Sequence, residues 1–144
     1  MNRQYCASSY VIDFDTKTIL LMYNKKLEKW LQPGGHIQDN ELEHPMDTAI
    51  REVYEETGIK IKIIGPSYDG ITIEPIAIAH YKNKVGDMID IQYLSYPITK
   101  ELKNSEDNDT CWYPIDKLEN SNHIDQEIKQ KVKYLYRTYK KSNK

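Results

Sequence analysis

The sequence predicts a single α/β domain built on a mixed β-sheet flanked by helices, and three observations support it. The chain has 144 residues, enough for one domain with a real core and too few for two. Its β-rich stretches and helical segments follow the order strands, helix, strands, helix. No repeat, linker or low-complexity tract divides it, so the domain takes in residues 1–144.

Tyr5–Phe14, rich in Tyr, Val and Ile, reads as a strand, and the polar turn Asp15–Lys17 joins it to a second apolar run at Thr18–Tyr23 as a hairpin. Lys25–Lys29 is a charged connection. Trp30–Gln32 is a short extended piece ended by Pro33-Gly34-Gly35. Pro45–Thr57 predicts a helix: Pro45 suits a first helical position, Gly58 suits the left-handed cap, and Ala49, Ile50, Val53 and Thr57 form a core-facing stripe. Ile59–Ile64, Ile71–Tyr81 and Met88–Ile98 read as strands, with Pro75 placing the second at an edge or a bulge. Asn104–Thr110 is an acidic loop, and Trp112–Leu118 a short strand leading into a helical turn. From His123 to about Tyr139, Ile124, Ile128, Val132, Leu135 and Tyr139 recur at the spacing of an amphipathic helix.

Composition narrows the function classes. Hydrophobic residues make up 39% and charged residues 29%, a globular balance. A net charge of −2 provides no general attraction to nucleic acid or an anionic membrane, so a polyphosphate ligand has to be met locally. Cys6 and Cys111 are far apart, which makes neither a disulfide framework nor a zinc site, and both read as buried thiols. Met1–Tyr10 does not read as a secretory signal, and no run of about 18 apolar residues occurs. A soluble cytoplasmic protein, monomer or homodimer, is expected.

The chemistry concentrates in Gly34-Gly35-His36-Ile37-Gln38-Asp39-Asn40-Glu41 and in Arg51-Glu52-Val53-Tyr54-Glu55-Glu56-Thr57-Gly58-Ile59. At about 100° per helical residue, Glu52, Glu55 and Glu56 fall within an arc of roughly 100° beside the apolar stripe. Three adjacent carboxylates repel one another, and hard divalent cations such as Mg²⁺ suit such an oxygen cluster. An ordinary solvated acidic face is the bland alternative. The two glycines after Pro33 shift the balance, because they permit close approach of the backbone to a ligand.

This segment resembles the Nudix box: Gly, five residues, Glu, seven residues, Arg-Glu, an aliphatic, any residue, Glu-Glu, any residue, Gly, an aliphatic. The second half matches throughout, at Arg51, Glu52, Val53, Glu55, Glu56, Gly58 and Ile59. The first half does not fit one register. Five residues after Gly35 comes Glu41, and seven residues before Arg51 stands Glu43, so the box is two residues long in this loop. Either glutamate can take the box position; Glu41 keeps the glycine spacing and is slightly preferred, with the insertion at about Leu42-Glu43. Trp30–His36, Asp90–Leu94 and Trp112–Leu118 are similar to family elements around the box, so the likeness covers most of residues 5–120.

The resemblance implies an α/β/α sandwich and a Mg²⁺-dependent (Mn²⁺ also suitable) pyrophosphohydrolase acting on a small nucleotide-like diphosphate. It implies metal ligands at Glu52, Glu55, Glu56 and the Gly35 carbonyl, and an Arg51 that holds the loop glutamate, Glu41 or Glu43. Gly34, Gly35 and His36 would contact substrate. A water proton would pass to Glu55 or Glu52, or to a later acidic loop, where Glu106 is the best positional match and Asp109 the next. Lys25, Lys26 and Lys29 are placed to steer an anion. Trp30, Tyr81, Tyr93 and Tyr113 could stack on a base, though aromatic residues beside apolar runs are usually core. His36 is retained because it touches the glycine loop, whereas His80 has no such neighbour and reads as an ordinary packing or surface histidine. The alternative is a non-catalytic nucleotide-sensing module on the same fold, which the presence of all three helix glutamates disfavours. No feature identifies the substrate.

Overall fold

The computed structural model describes residues 2–38, 42–83, 86–103 and 109–140. Its centre is β1 (Asn2–Asp13), which runs parallel to β7 (Gly86–Pro97) from Asn2 opposite Gly86 to Val11 opposite Ser95. On its other edge, β4 (Gly34–His36) lies antiparallel, with Cys6 opposite His36 and Ser8 opposite Gly34. The end of β1 turns back into β2 (Thr18–Asn24), as the hairpin pattern predicts.

β2 in turn holds β3 (Lys29–Leu31) on one edge and β8 (Asp109–Pro114) on the other, Met22 pairing with both. The far edge of β7 takes β6 (Ala77–Asn83) and then β5 (Ile61–Ile64), both antiparallel. The result is a mixed sheet of eight strands among the described residues.

Alternation along the strands fills both faces. Ala7, Val11, Leu20 and Tyr93 meet Ala49 and Val53 of α1 (Pro45–Thr57) on one side. Tyr10, Ile12, Ile19, Leu21 and Leu94 meet Ile128, Val132 and Leu135 of α2 (Gln126–Tyr139) on the other, together with Ile115 and Leu118 of a 3₁₀ turn, Ile115–Asn120. Central strands covered twice are apolar in near-continuous runs, which is why Tyr10–Ile12 and Ile19–Leu21 are buried without interruption. The structure is thus the α/β/α sandwich expected.

α1 has the predicted bounds. His44 caps its start, Nδ1 accepting from the Met46 N–H at 3.0 Å, and Gly58 ends it at φ 80° with its N–H on the Tyr54 carbonyl at 2.8 Å. Ala49, Val53 and Thr57 are buried as expected, while Thr48 is buried where Ile50 is only half-buried.

One predicted strand is shorter than its composition suggests. Ile71–Tyr81 reads as a strand, but β6 starts at Ala77. Asp69 Oδ1 accepts the Ile71 and Thr72 N–H groups at 2.8 and 2.6 Å, and the Glu74 N–H bonds to the Pro66 carbonyl at 2.9 Å. A side chain that takes backbone donors in this way offers the chain a turn in place of a ladder. Cys6 is buried and Cys111 half-buried; burial pushes both thiols up to about 11, as inert core cysteines require.

Candidate active site

α1 packs across β1 and β4, which brings its acidic side against the diglycine loop. The Gly34 N–H donates to Glu56 Oε1 at 3.0 Å. A Cβ on Gly35 would collide with the Glu52 carboxylate, so the absence of a side chain there is what lets Glu52 lie on the loop. Glu52 and Glu56, one helical turn apart, therefore rest on consecutive glycines. Glu55 projects outward, its side chain 54% exposed against 18% for Glu52.

Arg51 ties loop and helix together. Its Nε and Nη2 donate to Glu43 Oε2 and Oε1 at 2.8 and 3.0 Å, a two-pronged grip on one carboxylate. Nη1 reaches Glu52 Oε1 at 2.8 Å and Glu55 Oε1 at 3.0 Å, and Nη2 also meets the His36 carbonyl at 3.1 Å. Glu43 is further held by Thr48 Oγ1 at 2.7 Å and by the Gln38 N–H at 3.2 Å. The Glu43 N–H returns to the Gln38 carbonyl at 3.3 Å, so the longer loop is closed at its two ends. Of the two candidate loop glutamates, Glu43 is the one placed on Arg51; Glu41 lies outside the described residues. Leu42, where the insertion is expected, is 91% exposed with φ 54°.

The electrostatics follow from this packing. Hydrogen bonds from Arg51 hold the Glu43 carboxyl down to about 2, with Thr48 and the Gln38 N–H contributing. Glu56 behaves in the opposite way. Burial pushes it up to about 7 against the Gly34 N–H, and the charges of Glu52 and Glu55 add to the rise. Among the described residues no three acidic, histidine or cysteine side chains converge on one point as they stand. Arg51 Nη1 bridges Glu52 and Glu55. The donor set itself suits a hard divalent cation: the neighbouring carboxylates of Glu52, Glu55 and Glu56 beside a glycine backbone.

The other sequence candidates divide. A cleft of about 430 Å³ is lined by Lys25, Lys26, Gln32, Pro33, Gly34 and Glu56, so two of the three lysines share a cavity with the helix carboxylate; Lys29 instead pairs with Asp125 at 2.8 Å. The His36 ring meets Gln4 Oε1 at 3.2 Å, and His80 lies 3.4 Å from Asp87. Tyr93 is core, Trp30 packs edge-on against Tyr23, Tyr113 packs on the α2-side core, and Tyr81 is exposed. Asp109 begins β8, and Glu106 lies outside the described residues.

Sequence reasoning missed a second polar group, on the sheet face away from α1. Asp90 and Gln92 of β7 are buried, as is Ser8 of β1. Ser8 Oγ and Gln92 Nε2 donate to Asp90 Oδ2 at 2.9 and 3.1 Å. The available signal is polar residues at alternate positions in a strand whose neighbours are apolar.

A glycine-loop backbone laid against a helix rich in carboxylates, inside a two-faced α/β/α sandwich, defines the class of this protein. The NUDIX domain family model matches residues 2–135, and the chain belongs to that family. It is 41% identical over 73 residues to the Probable DHNTP pyrophosphohydrolase of Lactococcus lactis subsp. cremoris (strain MG1363). That match takes in 50% of this chain and 40% of the relative, so the matched stretch spans well under half the length of that curated protein. Among solved structures, a NUDIX-family hydrolase from Clostridium perfringens superposes with a TM-score of 0.78 at 24% identity, over 94% of this chain and 99% of that one. A MutT NUDIX hydrolase from Burkholderia pseudomallei gives 0.69 at 16% identity, over 92% and 98%. Among the described residues no helix is long and apolar enough to cross a membrane.

Proposed function

We propose that this chain is a divalent-cation-dependent pyrophosphohydrolase, using Mg²⁺ or Mn²⁺, that cleaves a phosphoanhydride bond in a nucleoside-diphosphate-like substrate by attack of water on phosphorus. The observation behind this reading is the placement of Glu52 and Glu56 on Gly35 and Gly34, with Arg51 locking the loop to the helix through Glu43. The Lactococcus relative, named for a pyrophosphohydrolase, supports the bond assignment.

Glu52, Glu55, Glu56 and the Gly35 carbonyl would hold the cation, which when bound neutralises diphosphate charge and lowers the pKa of a coordinated water. Lys25 and Lys26 line the cleft that ends at Glu56 and draw the anionic chain toward it. Arg51 fixes the helix register against the loop, so the carboxylates are positioned before substrate arrives. Glu55, the most exposed of the carboxylates on Arg51, or Glu52 would take the proton of the attacking water; Glu106, which precedes β8 in the sequence, is the other acceptor.

A nucleotide panel assayed for phosphate and pyrophosphate release tests the reading. Hydrolysis is expected with Mg²⁺ or Mn²⁺ and not in excess chelator, and Glu55→Gln is expected to lose turnover by orders of magnitude with its folding intact. Full activity in chelator or in that variant would sink the mechanism. Nucleotide binding without turnover would favour a sensing module.

A further inference from the structure

Residues 22–26 and 31–34 line the cleft that reaches Glu56, so one short piece of chain supplies nearly all of its lining. Glu28, Lys29 and Trp30 join the two stretches, and each is held by the segment that leads into α2. The Trp30 N–H donates to the His123 carbonyl at 2.8 Å, and His123 Nδ1–H donates to the Glu28 carbonyl at 3.1 Å. Lys29 Nζ meets Asp125 Oδ1 at 2.8 Å. His123 stands 95 positions from Glu28 in the chain, so this grip belongs to the tertiary fold and not to the hairpin.

The hairpin needs such a hold. β3 has three residues and pairs with β2 along one edge, so few ladder bonds fix its position. Residues 25–28 form the turn between Asn24 and Lys29, which face each other in that ladder. Asn24 Oδ1 closes the start of the turn by accepting the Leu27 N–H at 3.0 Å. Glu28 ends it at φ 54°, a left-handed conformation that is unfavourable for a residue with a Cβ and persists where its surroundings hold it. The segment that does so is itself well founded. Ile124 is buried in the α2-side core, Lys129 Nζ donates to the Ser121 carbonyl at 2.7 Å, and the His123 N–H donates to Ser121 Oγ at 3.1 Å. Of the three contacts, the Lys29–Asp125 pair is exposed at both ends and contributes little, and the Trp30 bond runs between backbones. The side chain that decides is His123.

We propose that His123 is a positioning residue for the anionic substrate: its ring fixes the turn at residues 25–28, and through that turn it keeps Lys25 and Lys26 on the cleft that reaches Glu56. The inference rests on the phosphoanhydride reading for the nature of the anion. Lysine ammonium groups ride on long, mobile stems, so the field they project into a cleft depends on where the backbone roots them. His123 acts on that root from outside the cleft and touches none of the carboxylates on α1 described above.

The test is a calorimetric titration of the full chain with inorganic pyrophosphate in Mg²⁺, at about 50 and about 200 mM salt. Replacing both lysines, Lys25→Ala with Lys26→Ala, is expected to weaken binding roughly 10-fold at the lower salt and to flatten its salt dependence. His123→Ala should weaken it about 3- to 10-fold, the factor of one hydrogen bond, and should have no further effect once both lysines are gone. His123→Asn, whose amide N–H can donate to the Glu28 carbonyl, should recover most of the loss. His123 is exposed, so these variants keep the core intact. A merely structural His123 predicts the same loss with and without the lysines, and no change in salt dependence. That result, a His123→Ala protein that binds like the wild type, or a wild type that does not bind pyrophosphate overturns the proposal. Nucleotide hydrolysis without coupling between His123 and the lysines would leave the proposed function standing and this inference refuted; the coupling without hydrolysis of any nucleotide would do the reverse.

Discussion

Arg51 and Glu43 meet side-on, two guanidinium nitrogens on two carboxylate oxygens at 2.8 and 3.0 Å, across the start of α1. The same guanidinium spends its remaining nitrogen on Glu52 and Glu55. The pair thus fastens the loop to the helix and at the same time disperses charge among carboxylates that would otherwise only repel. Removing one partner leaves the other half-buried and under-satisfied, so Glu43→Gln should destabilise the fold by about 1–3 kcal/mol in denaturant unfolding. Glu41→Gln should change stability far less; equal losses from the two variants would deny Glu43 its special place.

The same pair sets an acid limit. In the folded chain the Glu43 carboxyl is held at about 2 against an ordinary 4.5, so the unfolded chain takes up its proton first as pH falls. Its contribution is therefore present above about 4.5 and drains away between there and about 2. Thermal midpoints measured across that window should fall for the wild type and fall less steeply for Glu43→Gln.

The two loop glycines should fail differently. A Cβ on Gly34 meets the Ser8 side chain and the Ala7 carbonyl, both fixed in the central strand, so Gly34→Ala should lower the melting temperature by several degrees. The nearest atoms to a Cβ on Gly35 all belong to the Glu52 side chain, a flexible group that can swing aside. Gly35→Ala should hold its melting temperature and lose turnover at least tenfold, since catalytic carboxylates tolerate little displacement. Calorimetry and a steady-state assay on both variants separate the outcomes.

Glu106 has its own check. If it takes the proton from water, Glu106→Gln removes the acidic limb of the kcat profile while leaving KM nearly unchanged. Wild-type turnover across pH in that variant assigns the task to the helix glutamates.

How much of this was legible beforehand varies with the physics of each segment. α1 could be read to the residue because a proline at its start and a glycine at its end leave the backbone little choice. The sandwich could be read from uninterrupted apolar runs. Ile71–Ile73 has the β-branched composition of a strand, but Asp69 captures its backbone donors into a turn. Glycine spacing slightly prefers Glu41, yet Glu43 is the glutamate placed on Arg51, since motif spacing records chain length and not which side chain turns inward. Ser8, Asp90 and Gln92 come together only through a parallel ladder between residues more than eighty positions apart, and no local pattern shows that.

That ladder also has a bearing on how the molecule is made. β1 leaves the ribosome before the other strands of this sheet and is its middle strand, yet its longest partner begins at Gly86. Until translation has passed that point, one margin of this central strand has nothing to pair with. Non-local pairings of this kind are slow to form and prone to self-association while they wait. The architecture that seats the glycine loop beside its helix therefore makes closure of the core wait for a strand translated some seventy residues after the one it pairs with.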